Sequence, residues 1–300
     1  MSLQATVPAS AGGEKQAPLD ALRRLFHTMP TIVVLSFLIF VVLLAAGLLS
    51  PLISPYDISE QQLLARLQPP MLLGGTEAHP LGTDHLGRDL LSRLLAATRT
   101  TLIIAGLGVL IGAITGLIAG LISGSAGGWF DNVFMMLVDA QASIPLTLLA
   151  LTAVAIAGTS PLVLILIVGI SDYDKYARVV RAQVIAIRQR TFVEAARALG
   201  ASPWRVAVRH VLPNIVSPLI VLATINFSSI VILESALSFL GVGVQPPHTS
   251  LGQLLGEARD YLITTWWLAA IPAAVIVTIT MAVSLIGDWL RDVLDPSLER

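Results

Sequence analysis

The stretch 101–124, TLIIAGLGVLIGAITGLIAGLISG, carries no charged side chain in 24 positions. As a helix rising about 1.5 Å per residue it can cross the roughly 30 Å hydrocarbon core of a bilayer. Within it Gly108, Gly112, Gly116, Gly120 and Gly124 recur every four residues. Four is close to the helical repeat, so the glycines form a slanted smooth stripe. In lipid, helices associate by packing rather than by the hydrophobic effect, and such a stripe lets a second backbone come close. Small residues are also simply common in membrane helices, but five in register favour a packing role.

Composition agrees with a lipid environment. Of 300 residues, 55% are hydrophobic and 12% charged, with mean hydropathy +0.82. A soluble domain carries about 25% charged residues, so this chain cannot cover a water-facing surface of ordinary polarity. Its net charge of −1 offers no field for nucleic acid. The absence of cysteine excludes disulfides, thiolate metal sites, Fe–S clusters and cysteine nucleophiles.

Upstream of 101–124, residues 86–99 read as an amphipathic interfacial helix, with Leu86, Leu90, Leu91, Leu94 and Leu95 on one face. Residues 50–95 are punctuated by Pro51, Pro55, Pro69, Pro70 and Pro80, so 50–100 forms an extramembrane loop leading into the span. Residues 31–49 are an uncharged apolar run and a first span; a signal peptide would have a shorter apolar region and a briefer leader. Residues 1–30 are polar and form a tail. Downstream, further spans are expected at 130–157, 161–182, 214–240 and 266–290, the last entered by an interfacial pair, Trp266 and Trp267. The expectation is an all-α polytopic protein with six transmembrane helices: an N-terminal span, and a five-helix core over 101–295. With both termini inside, thirteen of the eighteen Lys and Arg fall on the inner side.

The longest basic loop lies at 171–213. It contains Glu194-Ala195-Ala196-Arg197-Ala198-Leu199-Gly200 and, after nine residues, His210-Val211-Leu212-Pro213. Thr191 and Glu194 have capping-box spacing, Gly200 suits a left-handed helix end, and Ser202-Pro203 opens a further helix. The loop therefore reads as a helix–turn–helix outside the bilayer, whose alanines admit a close partner surface. An ordinary linker with alanines for helicity is the plainer alternative.

This arrangement resembles the signature loop of permease subunits of binding-protein-dependent ABC importers: Glu-Ala-Ala, three residues, Gly, nine residues, Ile, one residue, Leu-Pro. Glu194, Ala195, Ala196, Gly200, Leu212 and Pro213 match; His210 stands where the pattern has Ile. Leu81-Gly82-Thr83-Asp84-His85-Leu86-Gly87-Arg88-Asp89, Asp139 with Ser143-Ile144-Pro145, Leu237-Ser238-Phe239-Leu240-Gly241 with Pro246-Pro247, and Gly287-Asp288 through Asp295-Pro296 look like the dipeptide/oligopeptide/nickel group. They resemble the second permease of that pair, the one with an extra N-terminal span, over roughly 20–297.

The resemblance implies a type I importer permease in the bacterial inner membrane. It implies as partners a second, homologous permease, cytoplasmic ATP-binding subunits and an extracytoplasmic solute-binding protein. No phosphate-cradling Gly-Lys motif exists, because the only lysines are Lys15 and Lys175. The chain is thus expected not to be an enzyme and to bind no cofactor, with ATP and magnesium used by partner subunits. Glu194, Ala195, Ala196, Arg197, Gly200, Leu212 and Pro213, within a coupling loop at 183–213, would couple to the ATPase. The implied cargo is a dipeptide or oligopeptide; nickel chelates, glutathione and opine-like solutes are the alternatives.

Ionisable groups within spans are costly and therefore functional candidates. Asp139 and Glu234 are the two. With Ser143, Pro145, Asn226 and Ser229 they are candidates for a translocation path, although each carboxyl could equally be a buried, hydrogen-bonded structural group. Ser228 could extend the same polar stripe or bond a neighbouring helix. Asp172, Asp174, Lys175, Arg178 and Arg181 read as a solvated face after the fourth span. No metal site is expected. A proton-coupled secondary transporter would use Asp139 and Glu234 as a relay, but no internal repeat is visible. A membrane enzyme finds no H-E-x-x-H or G-x-S-x-G, and all five histidines lie outside the spans.

Overall fold

The structure, a computed structural model, describes residues 29–294. The tail before residue 29 and the Asp295-Pro296 end of the last motif lie outside the described residues. Ten helices longer than one turn follow one another within them: α1 (Thr31–Leu48), α2 (Leu90–Ala126), α3 (Gly128–Ala142), α4 (Leu146–Ala157), α5 (Pro161–Ser171), α6 (Tyr173–Arg188), α7 (Thr191–Ala198), α8 (Leu212–Phe239), α9 (Leu251–Ala258) and α10 (Trp267–Leu294). Short helical turns at Ser50–Ile53 and Pro203–Val206 connect them. The described residues contain no strand, only an isolated bridge between Thr83 and Asp89.

The interfacial helix expected at 86–99 is not a separate element. Gly87 at φ +74 keeps the preceding turn non-helical, and Asp89 caps the helix by accepting from Ser92 N at 2.8 Å. The chain then runs 37 residues without a break into the second span. An Asp cap of this kind stabilises by about 1 kcal/mol.

Four helices are individually long and apolar enough to cross a membrane: α1, α2, α8 with its lead-in turn, and α10. The other two expected spans are broken. The third divides into α3 and α4, bent by 87° around Pro145, which cannot continue the preceding helix. The fourth divides at Asp172 into α5 and α6. Eleven residues of α5 rise only about 16 Å, so this crossing needs α6 to complete it.

The glycine stripe is what α6 packs on. A Cβ on Gly116 would lie 2.6 Å from Tyr173 O, and one on Gly120 would lie 2.6 Å from Ala177 O and 2.7 Å from Val180 Cβ. Gly124 would meet Val184 Cβ at 2.9 Å, while Gly112 meets Gly169 O at 3.0 Å. Partner numbers rise with the glycine numbers, so α5–α6 runs parallel to α2. Arg188 ends the register by donating to Gly124 O at 2.7 Å and Ser125 O at 2.6 Å, neutralising carbonyls at the C-terminus of α2. Val154, Leu164 and Ile104 share one buried cluster. The bent α3–α4 pair therefore returns the chain from the level of residue 126 to that of residue 104, which is a crossing despite its bend.

α8 and α10 pack beside α2 and enclose Ala97, Ala105, Val168, Val231, Leu237 and Ile279. α1 leans on this core through Phe40, whose ring meets Phe227 edge-on at 5.9 Å. Ser228 donates to Thr280 O at 3.1 Å, joining α8 to α10. Of the polar residues placed on a solvated face, Lys175 and Arg178 are exposed as expected, while the others are drawn inward. Asp172 and Asp174 are buried, and Arg181 forms a two-pronged pair with Asp131 of α3, both bonds 2.6 Å. They ride on α6, which stays inside the bundle because the glycines hold it there.

Candidate functional site

α7 begins one residue earlier than capping-box spacing implies. Arg190 is its N-cap, Thr191 its first helical residue, and no side chain caps it. Its C-terminus follows the sequence expectation. Gly200 takes φ +83, its N–H donates to Arg197 O at 2.9 Å, and Ala201 N–H donates to Ala196 O at 3.0 Å. These are the two bonds of a Schellman motif, which satisfies carbonyls the helix end leaves open. Ser202 then caps the next turn, accepting from Arg205 N at 3.3 Å.

The loop has two faces. Val193, Val206, Val211 and Ile215 are buried against Val180, Val184 and Ile187 of α6, with Leu117 and Leu121 of α2 and Leu212 alongside. Glu194, Ala195, Arg197 and Gly200 face outward; Ala196 is half-buried and Pro213 exposed. Leu199 is 89% and Trp204 77% exposed, an apolar pair that water would not favour. His210 still packs in the position of the pattern's Ile, its ring 6.1 Å from that of Phe192. The loop thus has an inner face packed on three long helices and a bare outer face.

The path candidates do not come together. Asp139 and Ser143 lie exposed on α3 and at its end, Pro145 is exposed at the bend, and Ser229 is exposed on α8. Asp139 has only a loose ion pair, 3.8 Å from Arg178. Gln141 reaches instead to the other break, donating to Ile170 O at 3.3 Å and Ser171 O at 3.2 Å. So the two broken spans are joined at their breaks, where backbone groups need partners. Asn226 is buried opposite Tyr176.

Glu234 is 1% exposed. Thr101 of α2 donates to it at 3.1 Å and Ser238 at 2.7 Å. Leu251 N donates in turn to Thr101 Oγ1 at 3.2 Å, and Val244 N to Ser238 Oγ at 3.1 Å. The carboxyl thus knots α2, α8 and the start of α9 inside this one chain. Helix α9 itself went unread in the sequence. Its signal was present as Ser250-x-x-Gln253 before an apolar turn, and Ser250 does cap it, accepting from Gln253 N at 3.3 Å.

The segment from Leu81 to Asp89 builds a cap at the end of the bundle away from α7. Arg93, 2% exposed, binds Asp84 at 2.5 Å and Glu257 of α9 at 2.7 and 3.1 Å. Arg88 binds the same two carboxylates at 2.6 and 2.9 Å. His79 meets Asp89 at 3.0 Å. Burial pushes the Asp84 carboxyl up, but Arg93, Arg88 and two backbone N–H groups together outweigh it and hold it below the usual carboxylate range. Asp84, His85 and Glu257 lie close enough to share a metal ion. Two guanidinium groups already occupy those oxygens, so the trio suits an ion-pair network better than a cation.

Residues 116–300 match the family described as binding-protein-dependent transport system inner membrane component. Residues 19–70 match the N-terminal transmembrane domain of oligopeptide transport permease C. The chain is 40% identical over 264 residues to the di/tripeptide transport system permease protein DppC of Pseudomonas aeruginosa, covering 87% of each. It is 34% identical over 298 residues to the glutathione transport system permease protein GsiD of Pectobacterium atrosepticum, covering 99% of this chain and 97% of that one. Among solved structures it is similar to the MetNI methionine ABC transporter in inward-facing conformations. The TM-score is 0.55 at 22% identity, covering 68% of this chain and 96% of the other, a likeness of fold.

Proposed function

We propose that this chain, which belongs to the binding-protein-dependent transport system inner membrane components, forms one half of the membrane pore of an ATP-driven importer of dipeptides or oligopeptides. The outer face of the α7 loop carries the reading. Glu194, Ala195 and Gly200 are exposed beside Leu199 and Trp204, on a scaffold anchored to α2, α6 and α8. A cytoplasmic ATPase would dock there and move the loop; ATP and magnesium would be bound and consumed by that subunit, not by this one. The basic residues around α7 support a cytoplasmic location for this end and for both termini. The Arg88–Arg93–Glu257 cap then faces outward, where a solute-binding protein would deliver cargo.

A second, homologous permease would cover the exposed side of α3 and α8. Asp139, with 63% of its side chain exposed, is expensive against lipid. Lining a path with Ser143 and Ser229 between two permeases would relieve that cost. Glu234 and Asn226, enclosed within this chain, are assigned to structure. Peptide cargo is favoured by several relatives named as peptide or dipeptide permeases; the glutathione permease keeps a small peptide-like thiol as the second candidate.

The test is purification in mild detergent from its own membranes, with mass spectrometry of what accompanies it. A second permease and ATPase subunits are expected, with labelled dipeptide uptake dependent on ATP. Recovery of this chain alone, active in liposomes without ATP, would overturn the proposal. Gly200 gives the local test. A Cβ there meets nothing within 4 Å in this chain, so only its φ is strained, at about 1–2 kcal/mol for a β-branched residue. Gly200→Val should abolish ATP-coupled uptake at normal protein level, whereas Gly200→Asn, which tolerates the left-handed region, should retain much of it.

A further inference from the structure

Arg99 stands where α1 ends against α2. Gly47 is buried in the last turn of α1, and a Cβ there would lie 3.1 Å from Arg99 N, so the two backbones cross nearly in contact. The Arg99 side chain is exposed and belongs to two hollows. One is an apolar cleft formed by Leu44 and Leu48 of α1 with Leu102 and Ile103 of α2. The other is a polar cavity of about 550 Å³ whose lining includes Ser54, Tyr56, Asp57, Thr100 and His248. Among the described residues Arg99 makes neither an ion pair nor a side-chain hydrogen bond, whereas Arg88 and Arg93 on the same helix end are fully engaged.

We propose that this junction binds one membrane phospholipid with an amine-bearing headgroup. The phosphodiester would sit on the Arg99 guanidinium, the ammonium toward Asp57, and an acyl chain in the Leu44–Leu48–Leu102–Ile103 cleft. Three observations converge on that occupant. The depth is right: the apolar run of α1 ends at Leu48, so Arg99 lies at headgroup level rather than in hydrocarbon. The charges are right: an unpaired cation and an exposed carboxylate share one cavity, matching a zwitterion. Asp57 Oδ1 accepts from Ser59 N at 2.7 Å, which leaves its other oxygen available. The cleft also opens outward, with Leu48 52% and Ile103 37% exposed, so a chain lying there would stay continuous with bulk lipid. Guanidinium is the side chain best shaped to hold a phosphate in two-pronged fashion. Such a lipid would clamp the extra N-terminal span to the helix that leads into the core.

The test uses the whole transporter complex, purified in mild detergent from bacterial membranes, with bound lipid extracted and quantified by mass spectrometry. Wild type should retain phosphatidylethanolamine above its share of the surrounding membrane. Arg99→Gln and Leu48→Trp, which remove the cation and fill the cleft respectively, should each lower that retention several-fold. Arg66→Gln, at an exposed arginine on the loop between α1 and α2, should leave it unchanged. Asp57→Asn should shift the retained lipid toward phosphatidylglycerol. Equal retention in wild type, Arg99→Gln and Leu48→Trp would overturn the proposal, as would enrichment of phosphatidylglycerol in wild type. Leu48→Trp leaves every polar group in place, so the test stands even where Arg99→Gln impairs assembly.

Discussion

Two glycines on α2 differ only in what they face, and replacing each by leucine isolates the packing contribution. At Gly120 a Cβ would lie 2.6 Å from Ala177 O and 2.7 Å from Val180 Cβ. Ordinary contact begins near 3.4 Å, so even the first added carbon requires α6 to retreat by about 0.8 Å. A complete Leu side chain pushes the pair toward the 8–10 Å axial spacing of ordinary helices, stripping contacts at Ala177 and Val180. Overpacking in cores costs about 1–3 kcal/mol, and a rigid backbone carbonyl as the obstacle puts Gly120→Leu at or above the top of that range. At Gly106 a Cβ would meet nothing within 4 Å. Gly106→Leu should be neutral, or stabilising by up to about 1 kcal/mol from helix propensity. The assay is thermal unfolding of the purified complex, followed by loss of monodisperse protein, with peptide uptake in parallel. Because α6 carries Arg188 and the wall behind Val193, a displaced α6 should reduce uptake beyond what lower protein level explains. Equal melting of the Gly106→Leu and Gly120→Leu complexes would refute the parallel α2–α6 contact, and with it the completion of the fourth crossing by α6.

Glu234→Gln should preserve protein level and uptake, since an amide oxygen can still accept from Thr101 or Ser238; loss of uptake in a stable Glu234→Gln complex would instead make the carboxyl part of the path. Glu234→Ala leaves the protons of two buried hydroxyls without an acceptor, at about 1–3 kcal/mol each, and should visibly lower the melting temperature. Glu257→Gln withdraws one charge from Arg88 and Arg93, and faster amide hydrogen exchange at the start of α2 should report a loosened cap. Asp84 is ionised more readily folded than unfolded, so its contribution is complete above its unfolded pKa, near 3.8, and is lost as pH falls through the lower folded value. Exchange protection over 82–93 should therefore be flat from pH 7 to pH 5 and fall only below the ordinary carboxylate range; a drop between pH 7 and pH 5 would show that another group governs the cap.

The broad outline was legible because lipid reduces the number of viable structures to helices. The apolar run at 31–49 and the uncharged stretch at 101–124 had no other solution, and five glycines at a fixed spacing identified the side of α2 that would be touched. What they touch was not legible, because period says nothing about partner or direction. The fourth span was read as a simple crossing since its apolar half is short and its polar half looks soluble. In the bundle one face of that polar half packs on α2, with Arg181 satisfied by Asp131 of α3, a residue fifty positions away, while Lys175 and Arg178 stay exposed. The same distance hid the cap. Arg93 and Glu257 are 164 residues apart, and the leucines on 86–99 suggested an interface helix where Asp89 and Gly87 in fact start the long span.

Glu234 shows how the same sequence signal divides once neighbours are known. An acid in an apolar stretch raises a choice between path and structure that hydropathy cannot decide. The deciding residues are a threonine within α2, where its glycine-rich stretch begins, and a serine one turn after Glu234 on α8, each unremarkable alone. Thr101 bonds both the carboxyl and the first amide of α9, so one hydroxyl connects the span to the loop after α8. Asp139, whose nearby Gln141 and Ser143 suggested a structural network, has no such partners; its side chain faces outward beside an 87° break. Burial with several donors argues that a charge belongs to the subunit, and exposure at a broken helix argues that something outside the subunit completes it. On that criterion the proposed second permease would lie along α3 and α8, and Asp139→Asn, which keeps shape but removes charge, should change uptake while leaving the melting temperature of the complex in place.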